Sequence, residues 1–244
     1  MSRFSYSEAA QNWPRLGLIV LQSDETIEQE FRTMFPPEAA LFTSRIESGM
    51  EVSADSLAAM EARLSGAAGL FPRGMGFDVI GYGCTSGTAQ IGADRIAELI
   101  RAGAPATHVT EPISALTAAC YSLGLKRLAV LSPYVEEVSD RLREVLAGRG
   151  VETPVFGSFA EPEEAKVARI DTRSIVEAGQ SLVEGESLDG LFLSCTNLRS
   201  LPAIAQLEAA TGLPVLSSNQ VLAWHIATLS GNALSGDGLG CLGR

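Results

Sequence analysis

Asp78-Val-Ile-Gly-Tyr-Gly-Cys84-Thr-Ser and Asp189-Gly-Leu-Phe-Leu-Ser-Cys195-Thr-Asn share one plan. An Asp opens each stretch, an apolar run follows, and a Cys-Thr pair stands six positions after the Asp. Runs of this length with no polar face read as strands buried on both sides of a parallel sheet. A second matched pair lies upstream. Arg15-Leu-Gly-Leu-Ile-Val-Leu leads into Gln22-Ser-Asp-Glu-Thr, and Arg127-Leu-Ala-Val-Leu leads into Ser132-Pro-Tyr-Val-Glu-Glu. Each predicts a buried strand that runs into a helix start, with Ser or Asp as cap and acidic residues in the first turn. The spacing is kept as well: 69 residues from Arg15 to Cys84 and 68 from Arg127 to Cys195. The chain is therefore read as an internal duplication with a period near 111 residues, the separation of the two cysteines. That period is too long for a solenoid repeat. It fits two domains of one fold facing each other.

The stretches between these markers are amphipathic. Residues 54–70, 91–100, 135–146, 172–183 and 201–210 all carry apolar residues at helical spacing. Strands alternating with helices predict an α/β fold, with parallel sheets covered by helices on both faces. Ligands on such sheets bind at the carboxyl ends of the strands, where Cys84 and Cys195 both fall. The acidic segment 157–166, which contains Pro162, reads as an exposed excursion. The Gly-rich tail 230–244 reads as a loosely held terminus.

Bulk properties bound the partners. With 46% hydrophobic and 19% charged residues in 244, the chain can bury a real core. A net charge of −11 argues against a nucleic-acid binder, which needs a basic face for the phosphates. It leaves open an anionic small molecule held by backbone N–H groups. No apolar run approaches a membrane span; 16–21 is strand-sized. The segment Met1 to Trp13 lacks the apolar core of a signal peptide. The expectation is a reducing cytoplasm with free thiols. None of the four cysteines forms a C-x-x-C pair, and only His108 and His225 are at hand, so no metal site is expected.

A thiol at a strand-to-helix turn sits at the positive end of a helix, where backbone N–H groups favour the thiolate. Such a thiolate is a good nucleophile or base. Thr85, Ser86, Thr196 and Asn197 follow the two cysteines directly, and their hydroxyl, amide and backbone groups suit a carboxylate or a developing oxyanion. A lone Cys at a strand end is usually a small packed residue; Cys120 and Cys241 read that way. For Cys84 and Cys195 the repeated context favours chemistry. Arg199 reads equally as a carboxylate clamp or a solvated residue, and His225 and His108 as packed histidines.

With these residues in place, the chain resembles the maleate isomerase and arylmalonate decarboxylase family, within the aspartate/glutamate racemase superfamily. The resemblance runs from Arg15 to about Leu229. It rests on Gly17-Leu-Ile-Val, Gly83-Cys84-Thr85-Ser86, Ser132-Pro133-Tyr134, Ser194-Cys195-Thr196-Asn197 and Pro214-Val-Leu-Ser-Ser-Asn-Gln. Lys166-Val-Ala-Arg-Ile is similar to the family's second half. The resemblance implies two Rossmann-like lobes related by pseudo-two-fold symmetry, here 1–111 with 216–244 and 112–215. The active site lies in the cleft between them and uses no cofactor. It implies Cys84 as nucleophile or base and Cys195 as the opposing acid or base. Tyr134, Thr85 and Ser86 would bind a substrate carboxylate, with Thr196 and Asn197 on the opposite side, and Asn219 would help close the first sheet. Asp24 stands where maleate isomerases carry an Asn. A carboxylate there repels a dicarboxylate and suits a nitrogen-bearing substrate, unless Asp24 is only a helix cap.

The implied activity is a two-cysteine isomerase of a small carboxylic acid, working by thiolate addition of the maleate type. Two-thiol racemisation of an amino compound such as those of ectoine breakdown, arylmalonate-type decarboxylation, and a non-catalytic acid-binding protein stay open. The implied partners are a small carboxylic acid and further copies of the chain, as a homodimer or larger.

Overall fold

The computed structural model describes residues 1–9, 13–236 and 238–243. Residues 10–12, within the segment expected to carry no signal, lie outside that description, as do Asp237 and Arg244 of the tail. Eight strands form two parallel sheets among the described residues. The first contains β1 (Arg15–Leu21), β2 (Ala40–Ile46), β3 (Phe77–Gly83) and β4 (Ala106–Thr110), in the order β2-β1-β3-β4. The second contains β5 (Arg127–Ser132), β6 (Glu152–Ser158), β7 (Gly190–Leu193) and β8 (Val215–Ser217), in the equivalent order β6-β5-β7-β8. The fold is the two-lobed α/β arrangement that the duplication predicts.

The repeated Asp has a structural task in both halves. Asp78 Oδ2 accepts the Arg15 backbone N–H at 2.8 Å. Asp189 Oδ2 accepts the Lys126 and Arg127 N–H groups, each at 2.8 Å. Each carboxylate thus ties the start of the lobe's central strand to the strand that carries the cysteine. The two pairings begin one residue after the tie: Leu16 faces Val79, and Leu128 faces Gly190. Six of the seven residues of β1 and all four of β7 are buried, as expected of strands covered on both faces.

Eleven α-helices are present among the described residues. The first lobe is wrapped by α1 (Ile27–Met34), α2 (Ala54–Ala59), α3 (Glu61–Ala68), α4 (Thr85–Ile91) and α5 (Ala93–Gly103). Then come α6 (Pro112–Leu123), α7 (Glu136–Gly148), α8 (Glu164–Val167), α9 (Thr172–Val183), α10 (Leu201–Thr211) and α11 (Ser218–Leu229). The helix predicted over 54–70 is broken at Met60, and the one over 91–100 begins only after Gly92. Gly92 has φ +92°, a conformation that ends α4 and turns the chain into α5. The helix predicted over 172–183 has those bounds.

Three expectations are corrected. The stretch Ser217–Gln220 does not close the first sheet: Val215–Ser217 is an edge strand of the second. Instead α11, which follows it, packs on β3 and on α6. The tail is docked: Ser235 N–H donates to Met34 O, Cys241 N–H to Glu208 Oε1, and Leu239 is buried. The acidic segment 157–166 is not a solvated excursion at its far end, because Glu164 is only 4% exposed. Among the described residues no helix is long and apolar enough to cross a membrane.

Candidate active site

All eight residues to which the sequence points (Asp24, Cys84, Thr85, Ser86, Tyr134, Cys195, Thr196 and Asn197) line one cavity between the two sheets. Glu164 and the apolar side chains of Leu21, Val52 and Leu57 complete the wall. The cavity holds about 20 Å³, room for roughly one water. A strap joins two segments of its wall: Val52 N–H donates to Pro162 O, and Glu164 N–H donates to Met50 O.

Cys84 ends the β3 path in extended conformation and caps α4. Its Sγ accepts the Gly87 N–H at 3.2 Å. A Cβ on Gly87 would fall 2.8 Å from that sulfur and 2.8 Å from the Tyr82 hydroxyl, so the bond depends on glycine. Cys195 sits differently from the expectation of a helix N-terminus. It lies in an irregular turn six residues before α10, at φ +156°. A non-glycine residue in this region is strained, and such strain clusters at functional sites. Its Sγ accepts the Asn197 N–H at 3.3 Å. Ser218 joins the two cysteine loops: its Oγ accepts the Cys195 N–H at 3.0 Å and shares a 2.7 Å hydrogen bond with Thr85 Oγ1.

The second-lobe sulfur belongs to a chain of polar groups. Tyr134 Oη lies 3.0 Å from Cys195 Sγ and donates to Glu164 Oε1 at 2.7 Å. Asn197 Nδ2 donates to Glu164 Oε2 at 2.6 Å and to the Glu164 carbonyl at 3.0 Å. Asn197 Oδ1 accepts the Glu25 N–H at 2.8 Å. Both ends of the Asn197 amide are therefore spent on protein, which makes it a positioning residue and leaves it no donor for a ligand. Thr196 Oγ1 donates to Gly83 O at 3.2 Å, a bond across the lobes. Ser86 Oγ has no protein partner among the described residues and is the hydroxyl most open to a ligand.

Burial works against the thiolates that the turn geometry favours. Burial pushes Cys84 up to about 12, and the nearby carboxylates of Glu164 and Asp24 add to the rise. The Gly87 N–H and the Tyr82 hydroxyl pull the other way. Cys195 is pushed well above the usual thiol range, first by burial and then by Glu164. A seven-residue helix start and single N–H contacts do not offset the loss of water around a sulfur anion. Glu164 and Asp24 are themselves raised by burial. No Lys, Arg or His lines the cavity among the described residues.

Asp24 is both things the sequence left open. Its Oδ1 accepts the Thr26 and Ile27 N–H groups at 2.8 and 2.9 Å, an Asx turn into α1. Its Oδ2 is buried with no hydrogen-bond partner among the described residues. Sequence reasoning missed Glu164, hidden among the acidic neighbours Glu161 and Glu163; its one signal was the adjoining Lys166-Val-Ala-Arg-Ile stretch. It also missed Glu30, buried behind the site. Glu30 accepts Leu201 N–H at 2.9 Å and Asn219 Nδ2 at 2.8 Å. Arg199 is exposed, and His225 pairs with Thr110 Oγ1 at 2.7 Å; neither reaches the cavity. The described residues contain no cluster able to hold a metal ion.

A protein-family model described as arylmalonate decarboxylase matches residues 16–242. A maleate isomerase of Geobacillus stearothermophilus is 28% identical over 219 residues, covering 84% of this chain and 86% of its own. Two solved structures share the fold at 24% identity. One is a cysteine-to-alanine mutant of a Pseudomonas putida maleate isomerase with maleate (TM-score 0.84; 95% of this chain, 97% of that one). The other is a cysteine-to-serine mutant of a Nocardia farcinica maleate cis-trans isomerase with a covalently bound succinylcysteine intermediate (TM-score 0.83; 96% and 99%).

Proposed function

This chain belongs to the arylmalonate decarboxylase family, and on that premise we propose that it is a two-cysteine isomerase of a small carboxylic acid. One observation carries the reading. The cysteines of two equivalent sheets face one small cavity, each with its sulfur on a backbone N–H. The lobes we propose are 1–111 with 218–244 and 112–217, since β8 (Val215–Ser217) pairs within the second sheet.

In the maleate-type reaction, the Cys84 proton passes to a carboxylate of the cavity, Asp24 or Glu164, and returns to the sulfur at the end, while the thiolate adds to one olefinic carbon, forming a C–S bond. The π electrons move onto the neighbouring carbon and its carboxylate, which Ser86 and Thr85 receive. The former double bond, now single, turns. The electrons return, the C–S bond breaks, and the trans acid leaves. Cys195 stands opposite to lend a proton to the carbanionic carbon and take it back. Tyr134 and Glu164 extend its proton path: as Cys195 gives its proton to carbon, the phenol passes one to the sulfur and recovers one from protonated Glu164, and the transfers reverse when the proton comes back. The chemistry draws on thiols alone and calls for no cofactor.

Asp24 and Glu164 favour a second reading, racemisation of a nitrogen-bearing acid, in which one thiolate removes the α-proton and the opposite thiol delivers another. Proton NMR of maleate with the enzyme tests the first reading: fumarate should appear with the wild type and not with Cys84→Ser. Deuterium entering the α-carbon of an amino acid in heavy water, with no fumarate from maleate, favours the second. Turnover undiminished in Cys84→Ser overturns both. A reducing cytoplasm, which the four free thiols suit, and a homodimer or larger assembly go with the proposal; light scattering measures the assembly.

A further inference from the structure

Asp24 carries a carboxylate oxygen for which the protein provides no partner among the described residues. The residue is 4% exposed and faces the cavity. Oδ1 is engaged by two backbone N–H groups, and Oδ2 by none. Thr196 is near enough to pull the Asp24 pKa down, but its hydroxyl donates to Gly83 O. A buried carboxylate oxygen without a donor is costly. Arg45, whose charge acts on Asp24, makes no bond to Oδ2: it spends Nη1 on the carbonyls of Leu21, Gln22 and Asp24, and Nη2 on Glu28. A second carboxylate, Glu164, shares the cavity, and the wall holds no basic side chain.

The approach has the same sign. Beside the cavity, sharing Glu164 with it, lies a groove whose charged lining residues are Glu25, Glu51, Glu163 and Glu164. Arg169 is paired with Glu25, and Lys166 with Glu163. Glu51 and Glu164 have no ion-pair partner among the described residues. Such a mouth raises the local concentration of cations and repels dianions.

Resting on the two-cysteine reading above, we propose that the substrate carries a cationic nitrogen, an ammonium or amidinium, that donates to Asp24 Oδ2 while its carboxylate lies at Thr85 and Ser86. The preferred substrate class is then a short amino-carboxylate, bound ahead of a dicarboxylate of the same length. The nitrogen has a second effect. Asp24 and Glu164 both oppose a negative sulfur. A positive charge placed among them offsets that opposition, so the thiols become competent only with the right substrate in place.

Calorimetric titration with non-reacting probe pairs of matched length tests this: 3-aminopropanoate against malonate, 4-aminobutyrate against succinate, and 5-aminopentanoate against glutarate. The wild type should bind the best amino acid at least about tenfold more tightly than its dicarboxylate partner. Asp24→Asn keeps an Oδ1 acceptor for the Asx turn and replaces only the charged oxygen. It should lose that preference or invert it, with an unchanged melting temperature. Ser86→Ala should weaken both classes alike. If Ser86→Ala weakens binding but wild type and Asp24→Asn treat the members of each pair equally, the cationic assignment is overturned and the site reading stands. If neither substitution alters the binding of any probe, both are overturned.

Discussion

Replacing Glu30 with glutamine should remove a pH-dependent share of stability. Glu30 lies on α1 of the first lobe and accepts from the first backbone N–H of α10 and from Asn219 at the start of α11. Burial raises its pKa from 4.5 to about 7, against the pull of the Leu201 and Asn219 donors. The folded protein therefore holds a proton, between pH 4.5 and about 7, that the unfolded chain has released. The stabilisation is fully present below pH 4.5 and is lost as pH rises through about 7. At about 1.4 kcal/mol per pH unit, the loss across that window is about 3 kcal/mol. A glutamine at this position keeps an acceptor for Leu201 N–H, and its amide can meet Asn219 Oδ1, which has no partner among the described residues. The cost of the substitution itself is independent of pH. Urea unfolding of both proteins at about pH 4.5 and about pH 8 reads the difference directly. Wild type relative to Glu30→Gln should lose about 3 kcal/mol on going to the higher pH, whatever the other carboxylates contribute to both. Parallel pH dependences, within about 0.5 kcal/mol, would refute the assignment of a buried, proton-holding Glu30.

Three further outcomes follow from the site. Gly87→Ala puts a methyl 2.8 Å from Cys84 Sγ; kcat should fall at least about a hundredfold for a stability cost of about 1–3 kcal/mol, and an unchanged kcat contradicts the Gly87 N–H contact. Tyr134→Phe keeps the ring and deletes the hydroxyl shared by Cys195 and Glu164. Activity should drop by about 10²–10⁴, measured in the assay that detects turnover, and a drop of less than about threefold would break the relay. In the ligand-free enzyme, Cys84 alkylation by iodoacetamide, followed by mass spectrometry, should still be accelerating at about pH 10, since its thiol is pushed up to about 12; a plateau by about pH 9 would mean that burial does not control it.

Much of the architecture was legible in the chain because it is written locally. Parallel strands buried on both faces need continuous apolar runs, and the Asp-to-Cys stretch recurs with one offset of six, so β1, β3, β5 and β7 announce themselves. The position of a cysteine after each inner strand follows from the same period. What the chain could not display was the state of those cysteines. A helix start favours a thiolate when water is near, and only the packed lobes reveal that the water is gone and two carboxylates have come in. Glu164 shows the limit most clearly. In the chain it is one of several acids near a proline, which composition assigns to solvent. In the fold it is brought to Tyr134 and Asn197, 30 and 33 residues away. Asn197, in turn, reads as a ligand-binding amide along the chain, but in the fold Glu164 of its own lobe takes its donors and Glu25 of the other lobe its acceptor. The sequence by itself determined two sheets, two cysteines and the end of the sheet where chemistry belongs, since those depend on neighbours along the strand. The tertiary structure alone decided protonation, partners and the charge of the cavity, because desolvation and Coulomb energies depend on what lies within a few ångströms in space.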